Sequence, residues 1–205
     1  MSAMSSTPLH PDFGAQITGI DLSRPLTAEQ HTAVRDAIDR FSFLVFPDQR
    51  LCDESQLAFT RQLGEPEVEH VKFGRSGVVD FFGTIGNIGK DGTQQGNDHK
   101  ETRFGSGNHM WHSDSSFRQV PTMVTITYAH EVPDEGGQTE FVSCRAAYAG
   151  LPDAMKAEMD GLVAIHDYVF SRSKVAPVDP SHAASLPPVE QRLVRTNPST
   201  GARNY

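Results

Sequence analysis

His112 and Asp114 stand two residues apart in Trp111-His112-Ser113-Asp114-Ser115-Ser116-Phe117, between a Gly/Asn-rich stretch and a clear strand signal. In an extended chain successive side chains alternate faces, so positions i and i+2 point the same way. An imidazole nitrogen and a carboxylate oxygen would then be offered to one point in space. These are two of the three ligands of the 2-His-1-carboxylate facial triad, which holds non-haem Fe(II) and leaves positions open for substrate and O2. Alone, the pair also fits a surface turn, with Asp114 and the serines bonding to nearby backbone. The flanking residues favour the metal. Trp111 and Phe117 bracket the pair with apolar rings, which suits a site that must exclude water.

The elements that must position this pair can be read on either side of it. Downstream, Val124-Thr125-Ile126-Thr127-Tyr128 alternates as a strand should, and Gly136-Gly137 marks a tight turn into a second strand signal, Gln138-Thr139-Glu140-Phe141. Upstream, residues 9–21 read as short extended pieces broken by Pro11, Gly14 and Gly19. Thr27 and Gln30 form a capping box that opens a helix with Val34, Ile38 and Phe41 on one face. The strand Phe43-Leu44-Val45-Phe46 follows, and Asp53 with Gln56 is expected to cap a second helix that Gly64 stops. Residues 78–82 read as a strand. Residues 89–110 are polar and glycine-rich, the composition of a long loop of the active-site lid type, and His99 and His109 within it lack a partner at ligand spacing. Beyond the Gly-Gly turn, Ser143 caps a short helix, and Pro152-Asp153 opens another with Met155, Met159 and Leu162 expected inward. Val163-Ala164-Ile165-His166 reads as a strand and residues 171–189 as a loop. A strand begins at Leu193 and turns at Pro198-Ser199-Thr200-Gly201.

With 205 residues the chain is long enough for one domain with a substantial core. Its 26 acidic and 18 basic residues give a net charge of −8. No Lys/Arg stripe forms, which argues against a nucleic-acid partner. The two cysteines, Cys52 and Cys144, lie far apart and outside any metal or redox spacing, as free thiols in a reducing cytoplasm would. No apolar run approaches a membrane span, and the first residues lack a signal peptide's apolar region. A soluble cytoplasmic enzyme is expected, with self-association into a homo-oligomer left open.

The Trp-His-Ser-Asp-Ser-Ser-Phe run, together with Pro133-Asp134-Glu135-Gly136-Gly137-Gln138-Thr139-Glu140-Phe141 and Arg145-Ala146-Ala147-Tyr148, closely resembles the TauD/TfdA family of Fe(II)- and 2-oxoglutarate-dependent dioxygenases. The likeness runs from about residue 9 to the end and is nearest to the branch acting on 2,4-dichlorophenoxyacetate. It implies a mixed α/β (α+β) domain over residues 1–205, with a double-stranded β-helix (jelly-roll) core and flanking helices. It also implies that His112 and Asp114 bind Fe(II) and that the Thr139 hydroxyl binds a carboxylate of 2-oxoglutarate. By the same resemblance Lys72, with His70 and Asn87, holds the substrate's anionic group. The reaction implied is oxidative decarboxylation of 2-oxoglutarate to succinate and CO2, coupled to hydroxylation of a substrate C–H bond by O2. The substrate would be an aryloxyalkanoate or another small organic acid, with a sulfonate such as taurine as the alternative.

The family's second ligand histidine and its 2-oxoglutarate-gripping arginine have no counterpart with the expected neighbours. His130, His166 and His182 are the candidate substitutes, His166 reading as a structural strand residue and His182 as part of a loop. The resemblance therefore implies an N-terminal portion of such a dioxygenase, with the last strands missing, low stability and little or no turnover. Two other classes fit the His-x-Asp pair. One is a cupin-like metal hydrolase or isomerase without 2-oxoglutarate, and the other a non-catalytic remnant or interaction module.

Overall fold

A computed structural model of the chain describes residues 4–67, 83, 85–89 and 92–205. In chain order its elements are strands β1 (Ser5–Pro8) and β2 (Ala15–Thr18), helix α1 (Ala28–Phe41), strand β3 (Leu44–Val45) and helix α2 (Asp53–Leu63). Helix α3 (Lys100–Gly105) runs into a single 3-10 turn (Ser106–His109), followed by α4 (Cys144–Gly150), α5 (Asp153–Met159) and strand β4 (Val163–His166). Helices α6 (Tyr168–Ser173) and α7 (Pro180–Ser185) precede strands β5 (Val189–Arg192), β6 (Arg195–Thr196) and β7 (Arg203–Asn204). The class is mixed helix and strand, as expected. The chain divides into two compact units. One comprises Met1–Pro66, Ile126–Leu162 and Leu193–Tyr205, and the other Glu67–Thr125 and Val163–Arg192.

The first unit is built on a sheet of order β1-β2-β3. Strand β1 pairs with β2 antiparallel, Ser5 opposite Thr18, and β2 pairs with β3 in parallel, Ala15 opposite Leu44. Gly14 and Gly19 bracket β2 with φ of 81° and 78°, a left-handed backbone that glycine adopts without a Cβ penalty. Ala15 and Ile17 are fully buried on one face of β2. Helix α1 supplies the crossover to β3, starting at the Thr27–Gln30 capping box the sequence predicts and burying Val34, Ala37 and Phe41 against the sheet. Phe59 and Leu63 of α2 complete this core. The start of α2 differs by one residue from expectation: Cys52 is the cap position, and its N–H is taken by Ser55 Oγ at 2.9 Å. Asp53 lies inside the first turn, and Gln56 is buried, donating from Nε2 to the Ile126 carbonyl at 3.4 Å.

Residues 122–128 alternate between half-buried and exposed with period two, as a strand would, yet enter no strand pairing among the described residues. Side chains hold them instead: Tyr128 Oη accepts from Leu51 N–H at 3.3 Å and donates to the Gln49 carbonyl at 3.2 Å. Gly136 and Gly137 both have positive φ, the tight turn expected, but residues 138–141 are exposed and unladdered. The Phe141 ring stacks on Phe43, centroids 3.9 Å apart. Ser143 caps α4 by accepting from Ala146 N–H at 3.1 Å. Helix α5 departs from expectation. None of its residues is buried, and Met155 within it and Leu162 just beyond its end are about half exposed, so the expected apolar stripe does not face a core. Strands β6 and β7 form the terminal hairpin around the Pro198–Gly201 turn. Cys52 and Cys144 are free thiols.

In the second unit β4 and β5 pair antiparallel from Val163 opposite Arg192 to His166 opposite Val189. Two of its segments are more ordered than their composition suggests. The polar stretch before Trp111 contains α3 and the 3-10 turn, and the Pro/Ser/Ala-rich stretch after His166 contains α7, capped by Asp179 through Ser181 N–H at 2.9 Å. Arg172 fastens the first of these. It donates to the Phe104 carbonyl at 3.1 Å and to Asn108 Oδ1 at 2.8 Å. Its guanidinium also occupies the space that a Cβ at Gly107 would need. Among the described residues no helix is long and apolar enough to cross a membrane. Residues 78–82 lie outside the described residues.

Candidate metal centre

The chain leaves the 3-10 turn through Met110 and places His112 so that its Nδ1 lies 2.6 Å from the Met110 carbonyl oxygen. A carbonyl can only accept, so Nδ1 carries the hydrogen and donates it. The other ring nitrogen, Nε2, is thereby left as the coordinating atom, and it stands 3.2 Å from Asp114 Oδ1. The convergence expected from the two-residue spacing is therefore present. The second carboxylate oxygen, Oδ2, accepts from the Thr125 hydroxyl at 2.8 Å.

A neutral Nε2 lone pair and a carboxylate oxygen repel unless a proton or a cation lies between them. Two donors each about 2.1 Å from one ion and at right angles to each other stand roughly 3 Å apart, which the observed separation matches. The outer partners have the form that metal ligands usually carry: a backbone carbonyl fixing the histidine tautomer and a hydroxyl orienting the carboxylate. The pair thus fits one flank of a divalent-metal site. His112 and Asp114 are 44% and 49% exposed, so solvent reaches both. The flanking rings behave differently from expectation. Trp111 is two-thirds exposed and does not shield the pair, whereas Phe117 is half-buried against Tyr168, ring centroids 4.8 Å apart.

Among the described residues no cluster of three or more His, Cys, Asp or Glu side chains completes the site. His130 lies edge-on to Tyr128, and His166, at the end of β4 as expected, has Nδ1 3.0 Å from Ser116 Oγ. His182 packs its ring on Tyr168 from within helix α7, not from a loop. His99 precedes α3 and His109 ends the 3-10 turn, and neither joins the pair. Asn87 is half-buried and closes a local reversal: its carbonyl accepts from Gln95 N–H at 2.7 Å and its Nδ2 donates to the Gln95 carbonyl at 3.3 Å. Thr139 belongs to the first unit and is exposed. His70 and Lys72 lie outside the described residues. The partner that sequence reasoning missed is Thr125. It occupies an exposed slot of the alternating stretch, and that was the available signal, since a hydroxyl there can reach a preceding turn.

Comparison with known proteins shows the chain's family. The family model "Taurine catabolism dioxygenase TauD, TfdA family" matches residues 5–205. An alpha-ketoglutarate-dependent 2,4-dichlorophenoxyacetate dioxygenase of Cupriavidus pinatubonensis is 36% identical over 203 residues, 97% of this chain and 71% of that protein. A Burkholderia sp. enzyme of the same name is 32% identical over 206 residues, 98% of this chain and 69% of its own. The crystal structure of AAD-2 in complex with Mn(II) and N-oxalylglycine superposes with a TM-score of 0.84 at 34% identity, covering 99% of this chain and 70% of that one. The resemblance carried by the His-x-Asp and Gly-Gly motifs thus extends across both units, and the chain belongs to the TauD/TfdA family of 2-oxoglutarate-dependent dioxygenases.

Proposed function

We propose that His112 and Asp114 are two protein ligands of an Fe(II) centre in an enzyme that hydroxylates a small organic anion of the aryloxyalkanoate type, forming succinate and CO2 from 2-oxoglutarate. The observation that carries this reading is the His112–Asp114 pair itself, with its tautomer fixed by Met110 and its free carboxylate oxygen held by Thr125. Bound Fe(II) would supply the O2 chemistry that couples decarboxylation of the co-substrate to C–H hydroxylation. The protein's part is orientation and control of solvent. The Met110 carbonyl keeps the imidazole in its coordinating tautomer, and Thr125 keeps the carboxylate turned toward it. The Thr139 hydroxyl donates to the distal carboxylate of 2-oxoglutarate, and Lys72, His70 and Asn87 receive the substrate's anionic group. One family model spanning residues 5–205 supports a single catalytic domain of jelly-roll type. An aryloxyalkanoate is favoured by the relatives named for 2,4-dichlorophenoxyacetate, and a sulfonate is the second reading, favoured by the family's own description.

Thr139→Val is the test that separates this reading from metal chemistry without a co-substrate. The expected result is weaker 2-oxoglutarate binding, about tenfold for one lost hydrogen bond to a carboxylate, at unchanged Mn(II) affinity. Unchanged 2-oxoglutarate affinity would remove Thr139 from the site and favour a hydrolase or isomerase. Lys72→Ala should weaken binding of aryloxyalkanoate and sulfonate alike, and direct competition between the two ranks them.

A further inference from the structure

We propose that Glu67 is a positioning residue for the metal pair, acting through the turn that carries Asp114. The proposal rests on the reading of His112 and Asp114 as metal ligands. Both Glu67 oxygens are engaged: Oε1 accepts from Ser115 Oγ at 3.0 Å and pairs with Arg118 Nε at 2.7 Å, and Oε2 accepts from the Thr122 hydroxyl. These partners span the turn from the residue after Asp114 to a point three residues before Thr125. The two residues bonded to each other at 2.8 Å, Asp114 and Thr125, are therefore the flanks of a turn whose interior converges on one carboxylate.

The turn needs such an anchor. Ser115 has φ of 54°, in the left-handed region that residues other than glycine rarely occupy unless their surroundings over-determine it. Around it, Arg118 N–H donates to the Ser115 carbonyl at 3.0 Å, and the Arg118 carbonyl accepts from Gln191 Nε2 on β5 at 2.9 Å. Glu67 and Arg118 are 30% and 27% exposed, so the ion pair is partly sheltered from solvent. A carboxylate that accepts from two hydroxyls and is ion-paired with a guanidinium has both of its oxygens engaged within the turn. Glu67 thus organises the ligand turn rather than joining the metal. In many metal sites loss of a group that orients a ligand costs about 10- to 100-fold in metal affinity.

Mn(II) alone, titrated into the full chain and followed by its free-ion electron paramagnetic resonance signal, tests this alongside thermal melts of the metal-free variants. Glu67→Ala is expected to weaken Mn(II) binding about 10- to 100-fold. Asp179→Ala, which removes the cap of α7 elsewhere in the same unit, should lower the melting temperature and leave Mn(II) affinity alone. Glu67→Ala lowering the melting temperature at unchanged affinity would overturn the proposal while His112→Ala still abolishes binding. If His112→Ala leaves the affinity unchanged, the metal reading fails and the proposal fails with it. Should Glu67→Ala not fold, the isosteric Glu67→Gln decides. It keeps the volume but puts an amide where a charge and an acceptor stood. A several-fold weaker affinity supports the proposal, and an unchanged one overturns it.

Discussion

Around His112 each nitrogen of the ring has a separate job. One nitrogen is committed to a backbone carbonyl two residues back, and the other faces a carboxylate two residues on. Both relations are local, which is why the pair was legible in the sequence: alternation of side chains over three residues suffices to bring the two together. Thr125 was not legible as a partner, because its bond to Asp114 closes an eleven-residue span whose path depends on the turn in between. Removing that bond gives a prediction at this scale. Thr125→Val should weaken Mn(II) binding about tenfold by freeing the carboxylate to rotate, with far-ultraviolet circular dichroism unchanged. An affinity equal to that of the parent chain would make Thr125 a bystander.

Helix ends are where sequence and structure can be compared most closely. The Thr27–Gln30 capping box and the Ser143 cap were readable because a cap is a matter of spacing alone. The start of α2 shifted by one residue because Ser55 supplies the acceptor, for which no preference rule selects Cys52. Helices α3 and α7 were not readable in polar, Gly- or Pro-rich stretches, since tertiary anchors such as Arg172 stabilise short helices that propensity alone would not. Arg145, part of the motif that carries the family resemblance, reaches across the sequence to donate to the Asp39 and Arg40 carbonyls at 2.9 and 2.8 Å. It thereby satisfies carbonyls at the C-terminal end of α1 and places a cation at the negative end of its dipole. Arg145→Ala should cost about 1–2 kcal/mol in urea unfolding, and a smaller loss than Arg145→Lys would contradict the role. At the other end of α1, Glu29 has its carboxyl held below the usual range by its own backbone N–H, with help from Thr27. Its folded pKa lies below its unfolded one, so its contribution to stability is present above the unfolded value and lost as pH falls through the folded value. Glu29→Gln should flatten the acid limb of the stability profile in that window.

Over the whole chain, the mixed class was legible from the alternation of strand and helix periods, but pairing was not. The parallel β2–β3 pair and the β4–β5 pair join segments distant in sequence, and residues 122–128 keep a strand's alternation without a strand's ladder. Order should follow these contacts. Amides of β2 and α1, around fully buried Ile17 and Val34, should exchange slowest with solvent, and those of residues 131–140, all exposed, fastest. Uniform protection across both would contradict the placement of the core. Ile17→Ala should correspondingly lower stability by about 2–4 kcal/mol, the usual range for a buried aliphatic truncated in a core. The metal reading itself stands or falls on whether a histidine nitrogen touches the ion. Electron spin-echo modulation of Mn(II) bound to the full chain measures this. The expected result is a histidine-nitrogen modulation that vanishes in His112→Ala, together with a collapse of affinity in Asp114→Ala. A modulation that survives His112→Ala, or an affinity untouched by Asp114→Ala, would contradict it.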